Sequence, residues 1–132
     1  MGEKENLETL MAVLEGFNRN DMIAATEGLD PDVTYIIRGR ARVSGVYKGR
    51  EEMAGALRRI KELTDGTMAG KPEVVLAKGD EVMMYMRVTG RRPDGREYDN
   101  YQAYLYRFRK GKLLEGQTIP VDQHAFEEFF AD

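Results

Sequence analysis

The chain has 132 residues, no cysteine and a formal net charge of −3. This length fits one domain over residues 1–132, and 42% hydrophobic with 33% charged residues is typical of a soluble globular protein. The acidic balance gives no electrostatic reason to expect nucleic acid or an anionic membrane as a partner, and the missing cysteines exclude disulfides and thiolate chemistry. No apolar run approaches the ~20 residues that span a bilayer, and the charged N-terminus is unlike a signal peptide, so we expect a cytoplasmic protein.

The first part of the chain has the patterns of two helices and a strand. Apolar residues recur at helical spacing over residues 4–18, on a face formed by Leu7, Leu10, Met11, Leu14 and Phe17. Asp21 can cap a short second helix, which Gly28 and Asp30-Pro31 end. Val33, Tyr35 and Ile37 then alternate with more polar residues and predict a strand.

The rest of the chain reads as a third helix, four strands and a last helix. Residues 39–49 are glycine-rich and predict a loop or irregular hairpin, and a helix follows over residues 50–63. Strands are expected over residues 73–78, 82–89 and 98–109, and a fourth follows the turn at Lys110-Gly111. Phe126, Phe129 and Phe130 lie on one side of a helix over residues 123–131. This order predicts an α+β domain whose curved antiparallel sheet wraps around the helices and leaves a hollow.

The strand over residues 98–109 has one unusual face. Every second residue forms the set Tyr98, Asn100, Gln102, Tyr104, Tyr106 and Phe108. Amides among phenols are typical of a small-molecule cavity, which is mostly apolar with a few placed hydrogen-bonding groups. The same pattern also fits an exposed strand, because tyrosine favours strands. Both interpretations stay open from this segment alone.

Two segments resemble the SnoaL-like polyketide cyclase family. DVTYIIRGRARVSGVYKGREEM is similar to that family's strand, glycine-rich loop and helix entry, and RFRKGKLLEG followed by VDQHAFEEFF is similar to its last hairpin and aspartate-led C-terminus. The resemblance implies the cone-shaped fold of nuclear transport factor 2 and ketosteroid isomerase, with a pocket inside the sheet. It implies no cofactor, and it implies dimers through the outer sheet face. Fold alone does not establish a reaction.

The resemblance also suggests which residues form the pocket. The expected ligand-binding residues are Val13, Phe17, Tyr35, Ile37, Met53, Met84, Met86, Asn100, Gln102, Tyr106, Gln117 and Ile119. In the ketosteroid isomerase pattern the oxyanion donor, the base and the second acid fall near Val13, Ile37 and Tyr104, and only Tyr104 can donate a proton. The limonene epoxide hydrolase pattern also fails, because its last-strand aspartate falls near Ile119.

Asp122 is the strongest candidate for acid/base chemistry. It ends the last strand, where the resemblance places a proton-shuttling aspartate, with Tyr104 as a hydrogen-bond donor and His124 as a further candidate. Burial at the pocket mouth would raise the pKa of Asp122 toward a useful range. Asp122 also stands where an N-cap of the last helix is expected, and His124 fits a surface position. With one histidine and no cysteine, we expect no metal site.

The sequence therefore supports three alternative functions. The first is a cofactor-independent cyclase, isomerase or lyase that acts on a small apolar or polyketide-like substrate. The second is a non-catalytic protein that binds a small molecule in the same pocket, and the third is a dimeric interaction module. A pocket carboxylate favours the enzyme, whereas a pocket with only neutral polar groups favours the binding protein. The outer sheet face, predicted to carry Tyr85, Arg87, Tyr101, Leu105 and Arg107, is typical of a two-fold dimer interface.

Overall fold

A computed structural model describes residues 2–132. Its helices are α1 (Glu3–Asn18), α2 (Met22–Glu27), α3 (Arg50–Leu63) and α4 (Gln123–Phe130). Its strands are β1 (Leu29–Ile37), β2 (Gly45–Lys48), β3 (Ala69–Lys78), β4 (Glu81–Arg91), β5 (Glu97–Arg109) and β6 (Lys112–Pro120). Within residues 2–132, no helix combines the length and the apolar character needed to cross a membrane.

The strands form one open sheet in the order β2-β1-β6-β5-β4-β3. Neighbouring strands are antiparallel except for β1 and β6, which run parallel. The curved sheet places α1, α3 and α4 on its inner side, where α1 contacts β3, β4 and β6, α3 contacts β1, and α4 contacts β5. The predicted α+β class, with a curved and mostly antiparallel sheet around helices, is confirmed.

The core lies between the helices and the inner face of the sheet. In β4, Val82, Met84, Met86 and Val88 are each at most 4% exposed, and they alternate with exposed residues. A period of two therefore sorts this strand into an apolar inner face and a solvent-exposed outer face. At the other end of the chain, α4 buries Phe126, Phe129 and Phe130 against Tyr98 of β5.

Strand β1 begins earlier than predicted, because tertiary contacts hold a segment that reads locally as a turn. Leu29 and Asp30 are buried. The Arg109 guanidinium donates to Asp30 from Nη2 at 2.8 Å and from Nε at 3.1 Å, and these bonds hold the pKa of Asp30 below its ordinary value. The Arg50 Nε donates to the Leu29 carbonyl at 3.2 Å. Buried charge is tolerated here because it is paired.

Two further segments differ from the predicted strand pattern. Residues 45–48, in the segment expected to be a loop or irregular hairpin, form β2, a short edge strand that pairs antiparallel with β1. Strand β3 begins at Ala69 and continues through Pro72, which lacks the N–H of other residues. Proline is tolerated because β3 is an edge strand, and the register shifts between Pro72 and Val74.

Candidate functional site

A cavity of about 100 Å³ lies between α1, α3, α4 and the inner face of the sheet. An engineered apolar cavity of about 150 Å³ in another protein holds benzene, so this space suits a ligand of about one aromatic ring. Nine residues predicted from the sequence line it: Val13, Phe17, Tyr35, Ile37, Met53, Met86, Gln102, Tyr104 and Tyr106. The alternation along β5 therefore places two of its phenols, Tyr104 and Tyr106, and the Gln102 amide in the cavity wall.

The polar groups of the wall are neutral and hydrogen-bonded. The Tyr35 hydroxyl lies 2.5 Å from Thr118 Oγ1, and Gln102 Nε2 donates to the Tyr104 hydroxyl at 2.6 Å. The rings of Tyr104 and Tyr106 stack with centroids 5.8 Å apart and planes within 10°. The result is an apolar chamber with a cluster of phenols on its sheet side.

Burial keeps these phenols protonated. It raises the pKa of Tyr35 to about 12, although the hydrogen bond with Thr118 partly opposes the shift. Burial also raises the pKa of Tyr104 and Tyr106 well above the ordinary value, and the nearby Tyr35 adds to both shifts. At neutral pH the phenols therefore offer hydrogen bonds and do not act as bases.

Asp122 does not line the cavity, contrary to its expected position at the pocket mouth. Its side chain is exposed, and Oδ1 accepts a hydrogen bond from the Ala125 backbone N–H at 2.9 Å. This is the N-cap geometry of α4. Strand β6 ends at Pro120 and α4 begins at Gln123, so the Asp122 carboxylate serves the helix terminus and does not line the cavity.

His124 also lies outside the cavity. Its side chain is 83% exposed, and Nε2 lies 3.1 Å from Glu128 Oε1 one helical turn later. The structure thus places both non-phenolic candidates for acid/base chemistry on the surface around α4. Within residues 2–132, no group of three or more His, Cys, Asp or Glu side chains is arranged to hold a metal ion.

Four predicted ligand-binding residues are outside the cavity lining. Met84 is buried in the core away from the cavity, and Asn100 is buried but bonds to the Tyr98 hydroxyl and the Asp122 backbone. Gln117 and Ile119 lie on the outer face of β6, where Gln117 Oε1 accepts from Arg38 Nε at 2.9 Å.

The misplacement of Gln117 and Ile119 has a local cause. Arg107 pairs with Glu115 and Phe108 pairs with Leu113, so Leu114 is an extra residue in β6. Such a bulge switches which alternate residues face inward. Leu113 is therefore buried before the bulge, and Gly116, Thr118 and Pro120 are buried after it.

Thr118 is a cavity-lining residue that was not predicted, although Gly116 in the same strand indicates its position. Thr118 lines the cavity and pairs with Tyr35, and its position follows from Gly116 once the bulge is known. A Cβ on Gly116 would lie 2.6 Å from the Tyr35 ring and 3.1 Å from the Tyr106 ring. Only glycine lets both rings lie flat against β6, so an isolated glycine in a strand pattern marks this close approach.

A buried lysine lies beside the cavity without entering its wall. Lys61 Nζ donates to the Met68 carbonyl and lies 4.2 Å from the centroid of the Phe17 ring. Burial lowers the pKa of Lys61 to about 8. Phe17 and Met68 both line the cavity, so the ammonium is separated from it by one layer of side chains.

Comparison with known proteins places this architecture in a family. The family model described as the SnoaL-like domain matches residues 10–116, which is most of the chain. The chain belongs to the SnoaL-like family. The resemblance that the two sequence segments suggested is therefore confirmed. A solved nuclear transport factor 2-like protein from Burkholderia pseudomallei has the same fold, with a TM-score of 0.87 at 18% identity.

Individual relatives of this SnoaL-like chain are similar over almost their whole length. Uncharacterized protein Rv0034 of Mycobacterium tuberculosis is 26% identical over 132 residues, with 99% of this chain and 100% of the relative covered. Bal32a, from a soil-derived mobile gene cassette, superposes with a TM-score of 0.92 at 29% identity, with 98% of each chain covered.

A further solved structure shows the same fold at lower identity. The putative polyketide cyclase IdmH from Streptomyces antibioticus superposes with a TM-score of 0.75 at 21% identity, covering 89% of this chain and 92% of its own. This likeness establishes the shared architecture of the SnoaL-like chain.

Proposed function

We propose that this SnoaL-like protein binds a small, mostly apolar, planar molecule in its central cavity and does so without catalysing acid/base chemistry. One observation carries the proposal: the residues that line the cavity have no charged side chain, and their polar groups are three phenols, one amide and one hydroxyl. Apolar walls with a few placed neutral groups are typical of small-molecule sites.

The acid/base alternative, a cyclase, isomerase or lyase, has less support. A general base must reach the proton it removes, through a direct hydrogen bond or one water. Asp122 caps α4 with its carboxylate at the surface, and burial holds the wall phenols in the protonated form. Among residues 2–132, the cavity lining therefore supplies hydrogen-bond donors without a base.

The proposal includes assembly into a two-fold dimer through the outer sheet face. Val74 pairs with Tyr85 and Leu76 pairs with Met83 across β3 and β4, and all four side chains are exposed. The Tyr85 and Tyr101 rings stack on the same face with centroids 4.9 Å apart. An exposed apolar and aromatic patch of this kind favours a second copy of the chain as its partner.

The binding function is tested with α-methylstyrene, an uncharged hydrocarbon built on a single aromatic ring. Isothermal titration calorimetry is expected to show saturable one-to-one binding with a negative heat-capacity change, which marks apolar burial. Val13→Phe fills part of the cavity from α1 and is expected to abolish binding.

The matched control is Val121→Phe, which makes the same change at a valine that is 58% exposed. This variant is expected to bind as the parent does. Thermal unfolding of both variants checks that each is folded. The proposal fails if the parent does not bind the hydrocarbon, or if a folded Val13→Phe variant binds it with unchanged affinity.

A further inference from the structure

A chain of side-chain hydrogen bonds leads from the start of α4 into the cavity. Asn100 bonds to the backbone of Asp122, and its Nδ2 donates to the Tyr98 hydroxyl at 2.9 Å. The Tyr98 hydroxyl donates to Gln102 Oε1 at 2.6 Å, and Gln102 Nε2 donates to the Tyr104 hydroxyl at 2.6 Å. These four side chains lie on the inner face of β5, and each is at most 8% exposed.

The backbone of Asp122 fixes the direction of the first link. Its N–H donates to Asn100 Oδ1 at 3.3 Å, and its carbonyl accepts from Asn100 Nδ2 at 3.0 Å. A backbone N–H can only donate and a carbonyl can only accept. The Asn100 amide therefore has one orientation that satisfies both groups, and that orientation points its NH₂ toward Tyr98.

The same donor-to-acceptor direction then holds for each following hydrogen bond. The Tyr98 hydroxyl accepts from Asn100 and has a single proton of its own, which goes to Gln102 Oε1. The Gln102 oxygen is thus used, and its NH₂ faces the Tyr104 oxygen. Reversing any one amide would set two donors or two acceptors against each other, which is costly among buried groups.

Tyr104 is the last member of this hydrogen-bond chain. Its hydroxyl oxygen accepts from Gln102, and its hydroxyl proton is left to donate. Within residues 2–132, no side chain or backbone group accepts that proton, and Tyr104 lines the cavity. We infer that the Tyr104 O–H is presented to the ligand, and that the ligand carries a ketone, aldehyde or quinone carbonyl at this point. The inference rests on the proposed binding function and names the chemical class of its ligand.

The charge of the site narrows that class to uncharged molecules. The cavity lining has no cationic side chain to pair with a carboxylate and no anionic one to pair with an ammonium group. Burying an unpaired charge is far more costly than burying a carbonyl that receives one hydrogen bond. An ammonium group also lacks the acceptor that the Tyr104 proton requires.

The test compares acetophenone with α-methylstyrene, two single-ring probes that differ by oxygen in place of CH₂. Affinities are measured for the parent and for Tyr104→Phe. The ratio of the two ligands' Kd values is then compared between the two proteins, which cancels the different hydration of the ligands. Loss of the donated hydrogen bond is expected to weaken acetophenone relative to α-methylstyrene by roughly 3- to 10-fold. The infrared carbonyl stretch of bound acetophenone is expected at lower frequency in the parent than in Tyr104→Phe.

Asn100→Asp tests the donor-to-acceptor direction of the hydrogen-bond chain, at a residue that does not touch the ligand. An aspartate accepts from both the Asp122 N–H and the Tyr98 hydroxyl, so the Gln102 amide reverses and takes the Tyr104 proton. The carbonyl shift is then expected to disappear although Tyr104 is still present. Asn20→Asp makes the same change at an exposed asparagine and is expected to keep the shift.

The outcomes separate the two proposals. If both probes bind the parent, but Tyr104→Phe changes neither the affinity ratio nor the carbonyl frequency, the carbonyl inference is overturned and the binding function stands. If neither probe binds the parent, the binding function falls and takes the inference with it. A folded Asn100→Asp variant with the parental carbonyl frequency overturns the direction of the chain, and if that variant does not fold, Tyr104→Phe still decides.

Discussion

Lys61 is a single residue whose burial should be visible in the stability of the whole protein. Its side chain is in α3, only 7% of the residue is exposed, and the ammonium has the Met68 carbonyl and the Phe17 ring as neighbours. Burial disfavours the charged form, which lowers the pKa from 10.5 to about 8. The folded protein therefore releases this proton more readily than the unfolded chain does.

We expect the free energy of unfolding to rise with pH between about 8 and 9.5. In that range the unfolded chain holds the Lys61 proton and the folded protein has begun to lose it, so deprotonation favours folding. The gain is expected to be on the order of 1 kcal/mol. Above about pH 10 the sign reverses, because unfolded tyrosines ionise while buried Tyr35 keeps its proton to about pH 12.

Urea unfolding of the parent and of Lys61→Met at several pH values between 7 and 9.5 measures this dependence. The rise is expected to be absent in Lys61→Met. Lys78→Met removes an exposed lysine of β3 and is expected to retain it. A parent whose stability is flat or falls over this range would show that Lys61 stays charged at no cost.

At the scale of elements, α4 depends on Asp122, the N-cap residue that precedes it, for capping of its first turn. We expect Asp122→Asn to change the free energy of unfolding by less than about 0.5 kcal/mol, because Asn caps as well as Asp does. Asp122→Ala is expected to cost about 1 kcal/mol, because the Ala125 N–H loses its acceptor. Urea unfolding measures both changes, and calorimetry with α-methylstyrene is expected to show unaltered binding in both variants.

Weaker ligand binding in Asp122→Asn would indicate that Asp122 belongs to the ligand site. If Asp122→Asn weakened ligand binding while leaving stability unchanged, its carboxylate would have to reach the cavity in the bound state. The α4 terminus would then move on binding, and the acid/base interpretation would regain its candidate. The comparison of Asp122→Asn with Asp122→Ala separates the two roles, because the first removes the carboxylate and keeps a cap, whereas the second removes both.

The helices and strands also show how much of the secondary structure local sequence patterns predict. The strand over residues 98–109 and the helix over residues 50–63 could be predicted closely, because each carries an uninterrupted period of two or of 3.6 residues. In β6 the bulge at Leu114 interrupts the period, and residues after it were assigned to the wrong face. A bulge is set by pairing with neighbouring strands, so residues 112–120 alone do not reveal it.

At the scale of the whole molecule, the candidate site is formed by contacts that are distant in sequence. Strand β1 pairs in parallel with β6, which brings Tyr35 beside Gly116 and lets it bond to Thr118. Composition and periodicity identify such side chains as inward-facing, and the family resemblance supplies the arrangement that brings them together. Neither could show that Asp122 turns away from the cavity, because a cap and a catalyst occupy the same position in the sequence.

The assembly prediction belongs to the same scale. The outer patch defined by Val74, Leu76, Met83 and Tyr85 consists of two exposed cross-strand pairs on β3 and β4, with exposures from 38% to 63%. A stable interface needs roughly 800 Å² from each partner, so the patch has to be extended by neighbouring residues of the same sheet face. Arg87 and Asp99 lie beside it as a bidentate ion pair, which suits a polar rim.

We therefore expect the parent to behave as a dimer, with twice the 15.0 kDa mass of one chain, in multi-angle light scattering at micromolar concentration. Leu76→Glu combined with Met83→Glu places like charges on both copies of the patch, and burying them unpaired is costly, so this variant is expected to be a monomer. Ile23→Glu is the matched control, because Ile23 is 80% exposed on α2 and lies outside the sheet. It is expected to remain a dimer. A parent that runs as a single species of ~15 kDa would contradict the dimer. A double variant that stays dimeric would show that the interface lies on another surface.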